Sequence, residues 1–72
     1  MNPHLYEIRL EEALDGRWSG WFEGMEIVPI LDGNRAGTLL RGCLPDQAAL
    51  FGLLGRVRDL NLTLLEVRRI DQ

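Results

Sequence analysis

Between Pro45 and Asn61 the chain reads PDQAALFGLLGRVRDLN, and its hydrophobic positions repeat at a helical interval. Leu50, Leu53, Leu54 and Val57 fall at i, i+3, i+4 and i+7, with Leu60 flanking. That spacing draws one apolar stripe at the 3.6-residue period and predicts an amphipathic helix. Asp46 stands at the N-cap position, able to accept from the N–H of Ala48 or Ala49. Arg56 and Arg58 lie in the last two turns, where positive charge suits the macrodipole. Asn61 is expected to stop the helix in the left-handed region. One helix cannot hide such a stripe alone, so the remainder should supply the sheet it lies on.

Elsewhere the period shortens to two. From His4 to Leu14, Tyr6, Ile8 and Leu10 point one way and Glu7, Arg9 and Glu11 the other, which predicts a strand with one buried face. Met25 to Leu31 reads as a second strand ending at Asp32–Gly33–Asn34, a strong hairpin signal because Gly and Asn accept positive φ. Arg35 to Leu44 returns as the third strand, and Leu62 to Ile70 is the fourth. Between the first two lies Arg17–Trp18–Ser19–Gly20–Trp21–Phe22–Glu23–Gly24. Trp18, Trp21 and Phe22 are spaced so that one helical turn would put all three on a single side. Gly16, Gly20 and Gly24 argue against a longer helix. This segment is expected to be a single turn or compact loop that lays an aromatic plug over the sheet.

The predicted order is strand, aromatic turn, strand, strand, helix, strand. It gives a small α+β domain spanning residues 1–72. The plan is a truncated ferredoxin-like (split βαβ) sheet of four strands with one helix on one face, its first helix reduced to the aromatic turn. Alternation places Met25 and Ile27 toward the helix, and Val28, Ile30, Leu39 and Leu64 away from it. A free face of an antiparallel sheet should be polar. The second and third strands therefore read as apolar on both sides, and a second copy of the chain is the expected cover. Phe51 offers a rival interface on the helix, beside Gly52 and Gly55, unless it folds down over the sheet edge. Val28, Ile30, Leu39, Leu64 and Phe51 are the candidate oligomer contacts.

Size sharpens that expectation. A chain of 72 residues buries only about 60% of its unfolded surface. Small domains usually lean on disulfides, a metal or oligomerisation. A lone Cys43 excludes an internal disulfide, and one His with one Cys falls short of an ordinary zinc site. With 46% hydrophobic residues, self-association is the support that remains, as a homodimer or higher homo-oligomer.

Charge narrows the partners. The net charge is −3 and the eight basic residues are all Arg, so the electrostatic footprint of non-specific nucleic-acid binding is missing. Arg56, Arg58, Arg68 and Arg69 read as a solvated rim of ion pairs. No stretch approaches the roughly 20 apolar residues of a membrane span, and the polar start Met1–Asn2–Pro3–His4 does not resemble a signal peptide. The chain is expected to be cytoplasmic, without nucleic-acid or membrane partners.

Recognisable reaction chemistry is sparse. Cys43 would need His4 to lower its pKa, and its commoner role is a buried small hydrophobe. The carboxylate pairs Glu11–Glu12 and Glu23–Glu26 default to solvated surface. No phosphate-binding glycine loop is present, and the reading calls for no cofactor. Trp18, Trp21 and Phe22 are the candidate pocket, with Arg17 and Glu23 as polar orienters; the commoner role of such rings in a small domain is to complete the core. The expected function is a non-enzymatic homo-oligomerising module, an accessory or regulatory subunit. The alternative is a small-ligand-binding domain using the aromatic turn or the dimer seam.

Three segments, Tyr6–Leu10, Trp18–Gly24 and Pro45–Leu60, carry a YEIRL-like start, a W-x-x-W-F-x-G turn and a P-D-Q-A-A-L-x-G-L-L-x-R-V-R-D-L helix. With these the chain resembles a group of short uncharacterised single-domain bacterial proteins over nearly its whole length. The resemblance implies a standing domain type and carries across no activity and no site residues. Phe51, Asn61 in place of Gly, and the apolar Val28 and Ile30 depart from the group's pattern.

Overall fold

A computed structural model of the chain describes residues 3–70. Its elements are β1 (His4–Leu10), a 3-10 turn (Gly16–Gly20), β2 (Glu26–Asp32), β3 (Arg35–Leu44), α1 (Gln47–Asp59) and β4 (Leu64–Arg69). The strands form one four-stranded sheet of order β2-β3-β1-β4, and every neighbouring pair is antiparallel. β3 and β4 are therefore parallel to each other, joined through α1 and separated by β1. This is the interleaving of a split βαβ unit, and the small α+β architecture expected from the pattern is the one observed.

The helix begins and ends on its capping chemistry. The Asp46 carboxylate accepts from Ala49 N–H at 2.8 Å. At the other end Asn61 adopts φ 56°. Asn61 N–H donates to Arg58 O at 2.9 Å and Leu62 N–H to Val57 O at 3.1 Å, the paired bonds of a Schellman stop. Leu50, Leu53 and Val57 are the buried positions of α1. They meet Tyr6, Ile8 and Leu10 of β1 and Leu40 and Leu44 of β3 in the core. Side chains of this size contribute about 1.5–3 kcal/mol each when fully buried. Phe22 is fully buried among them and Met25 is 2% exposed, so the aromatic turn plugs the end of the sheet with one ring and one thioether.

Two strand boundaries differ from expectation. β1 ends at Leu10 rather than Leu14, because the next residues bond elsewhere. Thr38, fully buried, donates its hydroxyl to Glu12 O at 2.7 Å and accepts Leu14 N–H at 2.8 Å. β4 starts at Leu64 rather than Leu62, because the Leu62 N–H belongs to the helix stop. The β2–β3 hairpin closes on Gly33–Asn34 between the paired Asp32 and Arg35. Only Gly33, at φ 65°, enters the left-handed region there, the signature of a type II′ turn.

Candidate functional site

Residues directly opposite in a ladder present their side chains to the same side of the sheet, so the register sorts the two faces. Ile8, Leu40 and Ile27 lie opposite one another and belong to the helix side. The adjacent row is Val28, Leu39, Arg9 and Glu66, and the row beyond it is Glu26, Arg41, Glu7 and Arg68. Both rows therefore lie on the face turned away from α1.

Val28, Leu39 and Ile30 do occupy that outer face, each half-buried. Leu64 does not. It pairs with the core residue Leu10, and a register shift lies between Leu10 and Arg9. One extra residue in β4 flips the alternation, so Leu65 takes the outer place, with Arg9 and Ile30 beside an open cleft of about 130 Å³. Nor is β3 apolar along its whole outer side, since Arg35 and Arg41 alternate there with Gly37 and Leu39. Arg41 pairs with Glu7 at 3.7 Å, Arg9 with Asp32 at 3.8 Å and Arg35 with Glu11 at 3.0 Å. The outer face is a small apolar patch rimmed by ion pairs. Arg9 brings its cation onto the patch, and its Nε is buried without a hydrogen-bond partner among the described residues.

The aromatic residues separate instead of converging. Phe22 is core, Trp21 is half-buried against it and Trp18 is 38% exposed beside Arg17. The 3-10 turn ends at Gly20, so Trp18 lies within it while Phe22 lies beyond it and turns into the core. The Trp21 indole N–H donates to Arg56 O at 3.4 Å, and the Arg56 guanidinium lies 4.8 Å from the indole centroid. Arg56 also pairs with Glu23 at 3.3 Å, so these groups fasten the turn to the end of α1. Arg17 is bound to Asp15 at 2.8 Å, and its hydrogen bonds hold the Asp15 carboxyl below the usual carboxylate range. Neither polar residue proposed as an orienter faces a pocket shared by the three rings.

Cys43 is exposed, against the expectation of a buried small hydrophobe. It pairs with Leu5, whereas His4 pairs with Leu44, so alternation puts the thiol and the imidazole on opposite faces. Phe51 stands 64% exposed on α1 and does not fold over the sheet edge. No side chain or distant backbone comes within 4 Å of where a Gly52 Cβ would stand, and only Arg58 approaches Gly55.

Residues 5–68 match the family described as a domain of unknown function, DUF8691. The chain belongs to that family. No curated protein and no solved structure matches it. Among the described residues of this DUF8691 chain, no helix is long and apolar enough to cross a membrane. None of its described His, Cys, Asp and Glu residues gather in groups of three or more that could hold a metal ion.

What sequence reading missed is the exposure of β4. All six of its residues are exposed, because α1 leaves this edge of the sheet uncovered on both sides. Leu64, Leu65 and Val67 are 44%, 54% and 37% exposed, and Ile70 just beyond is 36% exposed. The signal was present in the sequence: Leu64–Leu65–Glu66–Val67 holds no clean alternation of apolar and polar residues, as a half-buried strand should.

Proposed function

We propose that the chain is a non-enzymatic module that self-associates and acts through protein–protein contact, as an accessory or regulatory subunit. The observation that carries this reading is the exposure of β4. A terminal strand with large apolar side chains open on both faces and an unpaired backbone edge is a template for another chain. Apolar groups gathered at such an edge signal an interaction surface, where scattered single ones would not. The outer patch of Val28, Ile30 and Leu39 adds apolar surface on the same sheet. The small size of the domain supports the same reading, since 72 residues leave a limited core and a partner's surface adds to it.

The deciding experiment is a mass determination by light scattering across a micromolar dilution series, with Trp emission followed in the same samples. A mass at a multiple of 8.2 kDa that falls on dilution is the expected result. A mass of one chain throughout would overturn self-association. A change in emission on adding small metabolites, at constant mass, would favour a ligand-binding domain instead.

A further inference from the structure

We infer that two copies of this chain join through β4 in antiparallel register about a two-fold axis at Val67, extending the two sheets into one. This assignment rests on the self-associating reading above and names the seam.

The argument starts from the two edges of the sheet. β2 carries Pro29 in its middle, a residue with no N–H to offer and a known guard of edge strands. β4 has no such guard beyond the register shift at its first residues. From Glu66 to Arg69 it is regular and uncovered.

Backbone geometry then fixes which groups point outward. Ile70 N–H donates to Leu5 O at 2.8 Å. In an antiparallel ladder such bonds alternate along the strand. Arg68 and Glu66 therefore also turn their N–H and C=O toward β1, and Val67 and Arg69 turn theirs toward the free edge. A copy related by a two-fold axis can pair with this edge only where some residue faces its own equivalent, at Glu66, Val67, Arg68 or Arg69 in the regular part.

Charge decides among the four. An axis at Glu66 sets two carboxylates face to face, an axis at Arg68 or Arg69 sets two guanidinium groups face to face, and like charges directly opposite are destabilising. The axis at Val67 sets Glu66 opposite Arg68 of the second copy, twice by symmetry, with Val67 against Val67 between them. Among the described residues neither Glu66 nor Arg68 already makes an ion pair.

The outer face carries the same logic across the whole sheet. One row reads Glu26, Arg41, Glu7, Arg68, negative and positive in strict alternation. The axis at Val67 places Glu66 and then Arg9 of the second copy next in that row, so the alternation continues over the seam without a break.

A pair of cysteine variants tests the register in a Cys43→Ser background. Glu66→Cys and Arg68→Cys are purified separately, then oxidised with glutathione disulfide alone and as a mixture, while mass is followed by light scattering. The axis at Val67 makes 66 and 68 a non-hydrogen-bonded pair with Cα atoms about 4.5 Å apart, within disulfide reach. Equivalent residues are then offset by two positions, roughly 8 Å, which is beyond it. The expected result is a covalent dimer from the mixture and none from either variant alone. Cross-linking of Glu66→Cys alone or Arg68→Cys alone would overturn the register. A dimeric mass with no cross-link in any sample would overturn the β4 seam and leave self-association standing. Monomeric mass in every sample, wild type included, would overturn both.

Discussion

Glu12 holds Thr63 with both carboxylate oxygens: Oε1 accepts the main-chain N–H at 2.8 Å and Oε2 accepts the hydroxyl at 2.9 Å. Thr63 O in turn accepts Glu11 N–H at 3.0 Å. These bonds join the end of β1 to the entry of β4 across 51 positions of sequence, and so fix where the exposed edge strand begins.

The clamp makes stability depend on acid in a defined direction. The Thr63 N–H holds the Glu12 carboxyl below its usual value, partial burial opposes it and the Thr63 hydroxyl adds to it. A carboxylate with a lowered folded-state pKa contributes stability above the unfolded value, near 4.3. That contribution is lost as pH falls through the folded value, because the unfolded chain binds the proton first. Glu12→Gln should cost about 1 kcal/mol at neutral pH, and its deficit against wild type should close as pH drops below about 4. Thermal midpoints of both proteins over that range provide the check. A deficit that stays constant with pH would show that the charge is not what holds Thr63.

Asn61 supports a second prediction, since its φ of 56° lies where a Cβ is unwelcome. Asn61→Gly should leave the urea midpoint near wild type, because Gly meets the left-handed conformation at no steric cost. Asn61→Ala should cost about 1 kcal/mol, having the Cβ without the local hydrogen bonding that makes Asn tolerable there. Equal midpoints for the two variants would mean that the Schellman stop contributes little to the hold of α1.

The α1 stripe, its Asp46 cap and its Asn61 stop were legible because each is local, settled by residues within a turn or two of one another. The Gly33 hairpin was legible for the same reason. The end of β1 was not, since it depends on a hydroxyl at Thr38 that meets Glu12 and Leu14 only after β3 has paired. Leu64 was assigned to the wrong face because period-two reading assumes an unbroken strand, and the extra residue at the start of β4 inverts everything before it. The aromatic pocket failed on a similar point, as one continuous helical turn was assumed across a 3-10 turn that ends at Gly20, before Trp21 and Phe22. For β4 the broken alternation of Leu64–Leu65–Glu66–Val67 signals only that the strand is not half-buried; that both its sides lie open depends on the lateral position of the helix, which no single segment encodes.

Leu53 and Phe51 sit two residues apart on α1 and should behave in opposite ways. Leu53 is fully buried and Phe51 is 64% exposed. Leu53→Ala empties the centre of the core and should cost about 2–5 kcal/mol, enough to unfold a domain of this size at moderate denaturant. Phe51→Ala removes a ring that touches mainly solvent and should shift stability by no more than about 0.5 kcal/mol. The same variant separates the two surfaces on which a second copy could dock. With the seam at β4, Phe51→Ala leaves the wild-type mass unchanged at every dilution. A loss of the larger species in Phe51→Ala, with the fold intact by circular dichroism, would move the seam to the helix and take the two-fold axis away from Val67.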